Sequence, residues 1–398
     1  MSYKPTIRAC YIGIVCQAVI INLTAILFVP LGEQFGLSYT QLGALVMVNF
    51  AVQVAVSLIF GPVVDRFGFR RFIVAAHVAA VVGMVWFAAA GRVPVDPYIV
   101  LLSGTMIFAV AGGFLELLLS PILNSVPTDE KSSAMSIMHG FFCVGHIAVA
   151  LLTTVFLHVA GRDAWPVVLL LWSIVPLVNG FLFARCPMAK TMPPGEQSPA
   201  GKVFRQPLFI VLVFAILFAG ASEITFSQWT SAFLEQVMEL PKILGDIAGV
   251  GMFAAMMATS RLGYGLLKRK GARWLPGQSV LMLIGSALAV GCYVIMAFTA
   301  SPVLALIACA LCGLGVGLLW PGVLSLAVDA FPTAGTWMFA ILAAAGSSGA
   351  SGGPSLFGVI ADLGGLRAGF GVAAVFPLGA VVCLWLYHRL LRTKTDVE

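Results

Sequence analysis

Residues 61–71 read GPVVDRFGFRR, and 202 positions further on residues 263–273 read GYGLLKRKGAR. Both are basic, glycine-bearing turns that close an apolar run. At the same offset Gly61 matches Gly263, Arg71 matches Arg273, Gly43 matches Gly245, and Glu33-Gln34 matches Glu235-Gln236. A constant offset over so many positions marks an internal duplication, so the chain reads as two related halves.

Long apolar segments run outward from each turn. Hydrophobic residues make up 60% of the 398 and charged residues only 10%, against roughly a quarter charged in a soluble domain. Such a surface must face lipid. A membrane-spanning helix needs about 20 predominantly apolar residues. Twelve such segments follow in order, near 8–31, 38–60, 70–90, 97–121, 131–159 and 165–185, then 207–234, 243–266, 275–298, 301–325, 333–360 and 367–390. The opening MSYKPTIR and its apolar run exceed signal-peptide length and lack a small-x-small cleavage site, so they read as an uncleaved first span.

With the N-terminus inside, eighteen Lys and Arg fall on the cytoplasmic side and four, Arg92, Arg162, Lys242 and Arg367, outside. Basic loop residues resist translocation. Both termini are therefore expected in the cytoplasm, in a multi-pass protein of the cell membrane, the bacterial inner membrane in particular. The net charge of +6 then faces the anionic inner leaflet and requires no nucleic acid. Eight cysteines are scattered through apolar segments, and the CxxC of Cys309 and Cys312 lies inside a helical run, where Cys packs as a small hydrophobe. No metal site and no cofactor are expected.

Residues 186–206 begin CPMAKTMPPGEQSP and form the most polar, Pro/Gly/Ser-rich stretch of the chain. It reads as a cytoplasmic linker. The expected fold is an all-α membrane protein with 12 transmembrane helices in two pseudo-symmetric six-helix bundles, residues 1–185 and 207–398. Duplicated helical halves of this kind rock around a site near the bilayer midplane, which is alternating access. A monomer is expected.

The turn at 61–71 follows G-x-x-x-D-R-x-G-x-R-R. Gly61 permits close helix approach, Gly68 a positive φ, and Asp65 can cap a helix or pair with arginine. Arg66, Arg70 and Arg71 hold the turn on the cytoplasmic side. This motif, the twelve segments, the linker and the degenerate copy at 260–273 resemble the major facilitator superfamily. The resemblance implies a conformational latch at Gly61, Asp65, Arg66, Gly68, Arg70 and Arg71, with Arg261 in the copy.

Two acids, Glu116 and Glu223, sit about sixteen to nineteen residues into their spans. A carboxylate there must be neutral, paired or in a wet cavity, which suits a cation-coupling site, or a glutamate bonding two helices together. The stretch GGFLELLLSPILN around Glu116 resembles the fourth span of the fucose-permease branch, a family of sugar:cation symporters, and the resemblance implies substrate and proton coupling at Glu116. That branch carries a further aspartate in its first span, where this chain offers only Asn22 and Thr24. Either Glu223 replaces it, or coupling uses one carboxylate, sodium, or no ion.

Apolar helices also carry Gln17, Asn22, Asn49, Gln53, Asn124, Gln228, Trp229 and Trp320. Amides both donate and accept, and an aromatic face stacks on a sugar's C–H surface; interhelical hydrogen bonds and packing are the competing roles. His139 and His146 share a face in span five, as a metal pair or proton relay or as histidines bonded to a neighbouring helix. The function expected is a secondary active transporter of a small polar solute, a monosaccharide or polyol, coupled to proton or sodium. The alternative is a proton-coupled exporter of drugs or metabolites. No catalytic motif appears, and the chain is not expected to be an enzyme.

Overall fold

The computed structural model describes residues 2–37, 39–127, 131–189, 198, 200–241, 245, 249 and 251–395. Among them no strand occurs. The helices are α1 (Lys4–Ile26), α2 (Phe28–Phe35), α3 (Tyr39–Phe67), α4 (Phe69–Ala88), α5 (Pro97–Ser125), α6 (Lys131–Ala160), α7 (Trp165–Arg185), α8 (Ala200–Phe204), α9 (Pro207–Gln236), α10 (Met252–Arg269), α11 (Gln278–Phe298), α12 (Pro302–Val316), α13 (Leu319–Ala330), α14 (Thr336–Ala373) and α15 (Val375–Thr395).

Local chemistry sets many of their starts. Pro97, Pro207 and Pro302 stand in the first turn, where a missing N–H costs nothing. Asp96 caps α5 by accepting from Tyr98 N at 2.8 Å, and Ser301 caps α12 by accepting from Leu304 N at 3.4 Å. Gly68, at φ 81, turns the chain from α3 into α4.

Among the described residues, ten helical runs are long and apolar enough to cross a membrane. The segments expected at 333–360 and 367–390 merge into one of them, the 57-residue run Thr336–Arg392. Gly365, at φ 81 and ψ 168, bends that run without a loop. The segment expected at 243–266 lies partly outside the described residues, and its described part, α10, carries Arg261, Lys268 and Arg269. Part of the linker, 190–197 and 199, also lies outside them. Side chains such as Val159 and Phe181 are 80% and 61% exposed, as expected where the surrounding solvent is lipid.

The chain forms two compact units. The first comprises Met1–Asp129, Phe141–Glu196 and Gly335–Ala340, the second Glu130–Gly140, Gln197–Ala334 and Ile341–Glu398. In the first, α4 packs on α5 and α7, and α5 also meets α1 and α3. In the second, α12 packs on α10 and α11, and α15 on α9 and α11.

Candidate substrate and coupling site

In the first unit, α1, α3 and α5 bring four sequence-predicted residues together. Asn49 and Gln53 are four apart on α3 and so share a face. Asn49 Nδ2 donates to the backbone carbonyl of Ile20 at 2.9 Å, and Gln53 Nε2 donates to Asn49 Oδ1 at 2.7 Å. Gln17 Nε2 donates both to Gln53 Oε1 at 3.0 Å and to Glu116 Oε2 at 3.2 Å. Gln17, Asn49 and Gln53 are buried, whereas Glu116 is half-buried. The chain of amides therefore ends on a carboxylate that retains access to its surroundings.

The glycines just before Glu116 make this approach feasible. A Cβ at Gly112 would lie 2.8 Å from Gln53 Cδ, and one at Gly113 would lie 2.7 Å from Val56 Cβ and 3.0 Å from Gln53 Cα. Only a residue without a side chain lets α5 come close enough to α3 for the amides to reach the carboxylate.

The second acid has a different environment. In the second unit Glu223 Oε2 accepts from Arg261 Nη2 at 2.6 Å, with the two side chains 9% and 3% exposed. Arg261 also donates through Nε to Gly317 O at 2.7 Å, at the break between α12 and α13, and through Nη1 to His139 O at 3.4 Å. Ser136 Oγ in turn donates to Arg261 O at 2.7 Å. A buried ion pair survives only when such additional bonds satisfy the remaining donors. Arg261, a residue of the copied turn at 260–273, is the counter-ion of Glu223. The missed signal was an arginine seven residues before the basic end of α10, deep enough in the helix that its charge needs a partner.

The residues of the 61–71 turn separate by role. Asp65 accepts from Thr336 N at 2.7 Å and from Thr336 Oγ1, capping the start of α14, where N–H groups and the helix dipole favour a carboxylate. Gly61 faces Ala340 on the same segment, leaving no room for a Cβ. Arg70 donates to the carbonyls of Phe183, Ala184 and Cys186 and so caps the C-terminal end of α7. Arg66 lies over the Phe67 ring, 5.7 Å from its centroid, and Arg71 is exposed. Nothing in the sequence pointed to Thr336 as the partner of Asp65, because 271 residues separate them.

Of the remaining predicted residues, His139 joins the Glu223–Arg261 cluster through its backbone carbonyl, which accepts from Arg261 Nη1. Asn22 Nδ2 bonds the Ala18 carbonyl of its own helix at 2.8 Å. Asn124 has a buried Oδ1 with no hydrogen-bond partner. Gln228 is exposed. Trp229 donates to Pro354 O at 3.1 Å and stacks on Phe357 with centroids 4.7 Å apart. Trp320 packs over Gly346, where its ring fills the space a Cβ would need. His139 is buried and His146 half-buried.

The model of the Major Facilitator Superfamily matches residues 10–338. The chain belongs to the Major Facilitator Superfamily. As a member of that family it is a multi-pass membrane transporter and not an enzyme. Its fold is similar to that of the transporter FucP in the outward conformation, with a TM-score of 0.82 at 14% identity over 97% of this chain and 99% of that one. It is also similar to the proton:xylose symporter XylE, with a TM-score of 0.79 at 13% identity over 96% and 94% of the chains. In sequence it is 26% identical over 259 residues to the chromaffin granule amine transporter of Homo sapiens. That match spans 63% of this chain and 46% of the relative, so less than half of the relative's length is represented.

Proposed function

We propose that this superfamily member is a secondary active transporter importing a monosaccharide or related polyol by alternating access, coupled to protons through Glu116. In this reading twelve spans form two six-helix bundles, residues 1–185 and 207–398, with a cytoplasmic linker and both termini in the cytoplasm of a bacterial inner membrane, and the protein acts as a monomer. The single observation that carries it is the hydrogen-bonded row Asn49, Gln53, Gln17 and Glu116, with its half-buried acid. Amides suit hydroxyl groups, and a deep carboxylate that takes and gives a proton couples substrate to ion movement. Likeness in fold to FucP and to a proton:xylose symporter supports the same class.

Glu223 is the second acid of the proposed coupling pair and acts when its bond to Arg261 opens. Asp65, bonded to Thr336, forms the conformational latch together with Gly61 and the arginines of its turn. Gln228, Trp229 and Trp320 contribute substrate contacts from the second bundle, and Asn22 and Asn124 from the first.

The test is solute-induced proton movement in proteoliposomes with a trapped pH dye, in sodium-free buffer, over a panel of hexoses and pentoses. Lumen acidification by one sugar, absent in Glu116→Gln although labelled sugar still exchanges, supports proton symport. Sugar exchange without proton movement assigns coupling to sodium or to no ion.

A second reading has its own observation. The match to an amine transporter favours a proton-coupled exporter of amine-like drugs or metabolites. Proton movement driven by organic amines, with no sugar exchanged, decides for it.

A further inference from the structure

The amides of the first unit are not interchangeable donors and acceptors, because a backbone carbonyl sets their direction. Ile20 O can only accept, so Asn49 must present its Nδ2 to it and its Oδ1 to Gln53. Gln53 must then donate through Nε2 and turn its Oε1 to Gln17, and Gln17 must donate through Nε2 to both Gln53 and Glu116. Flipping any one amide would set oxygen against oxygen or N–H against N–H. Both N–H bonds of Gln17 are thereby used within the protein, and its Oε1 is left over. That oxygen is buried, on a residue with 0% exposure, and has no hydrogen-bond partner. Buried acceptors are normally satisfied, and one that is not calls for an explanation.

We propose that Gln17 Oε1 is the specificity-determining acceptor for a hydroxyl hydrogen of the transported solute, delivered past the half-buried Glu116 as the site closes around it. This assignment rests on the sugar reading above and adds to it a polarity: at Gln17 the protein reads a donor. A solute whose only polar atom at that position is an acceptor, such as an ether, a fluorine or an anionic oxygen, leaves Gln17 Oε1 unpaired and is rejected. Gln17 therefore selects by hydrogen-bond direction, which neither its residue type nor its place in the span could specify.

The experiment is competition against counterflow of labelled D-xylose and of labelled L-fucose in proteoliposomes, using singly deoxy and singly deoxyfluoro analogues at every hydroxyl position. Fluorine keeps weak acceptor character and has no hydrogen to donate. At one position the deoxy and deoxyfluoro analogues are expected to compete equally poorly, about tenfold or more below the parent sugar, the size of one lost hydrogen bond with its partner left unpaired. In Gln17→Met, parent and analogue are expected to compete alike at that position. The wild-type series reads the donor requirement by itself, even where the variant does not fold. Sugar exchange with deoxyfluoro analogues matching the parent at every position overturns the assignment while leaving sugar transport intact. Exchange of neither sugar overturns the sugar reading for these probes and the assignment with it.

Discussion

Removing the carboxylate of Glu223 tests the buried ion pair most directly. Its Oε2 lies 2.6 Å from Arg261 Nη2, and the side chains are 9% and 3% exposed. In Glu223→Gln the guanidinium stays charged and buried, with the Gly317 and His139 carbonyls among its acceptors. Stranding one partner of a buried pair costs about 3–5 kcal/mol. Arg261→Met strands the carboxylate instead and also releases Gly317 O, so its cost is expected to be at least as large. In the double variant Glu223→Gln/Arg261→Met no charge is left buried, and the loss should fall well below the sum of the single losses. The coupling energy expected for groups in direct contact is about 0.5–3 kcal/mol. Unfolding by SDS titration in mixed micelles, followed by tryptophan fluorescence, measures all four proteins. A single-variant loss below about 1 kcal/mol, or a coupling within about 0.5 kcal/mol of zero, refutes the view that burial makes each charge depend on the other.

Other consequences follow from particular contacts. Gly113→Ala drives a methyl into Val56 and the backbone of Gln53; it is expected to cost about 1–3 kcal/mol by overpacking and to slow sugar exchange, whereas Gly43→Ala, with open space around its Cβ position, is expected to leave exchange unchanged in the same assay. Asp65→Ala removes the acceptor of Thr336 N at 2.7 Å and is expected to lose about 0.5–2 kcal/mol, the cost of a missing helix cap, with Asp65→Asn retaining most of the stability in the SDS titration. Arg70→Ala leaves the Phe183 and Cys186 carbonyls without their donor; faster amide exchange confined to the last turn of α7 is the expected signature, and unchanged exchange there would refute the capping role.

Much of the architecture was legible in the sequence because lipid imposes a simple rule. Each crossing must be a helix that satisfies its own backbone and shows an apolar surface, and that requirement writes itself as long hydrophobic runs with basic ends. The duplicated turns at 61–71 and 263–273 are the basis for the expected division into halves. The same rule singled out Glu116 and Glu223, because a carboxylate in such a run stands out by its cost. Helix breaks were less visible: Gly365 bends one continuous run without a polar loop, and Gly317 separates α12 from α13 inside a single apolar segment.

Partnership was decided by tertiary structure alone. The sequence treats the two acids alike, yet Glu223 lies against Arg261 and Glu116 at the end of an amide row, because helices distant in sequence set those side chains within 2.6 and 3.2 Å. Asp65 read as one charge among several in a basic turn until the fold brought the start of α14 to it. Composition and spacing determine which side chains are costly to bury, since that depends on their solvent; the direction in which Gln17 presents its amide depends on what surrounds it, and there the deciding group is a backbone carbonyl, Ile20 O, that no residue type encodes.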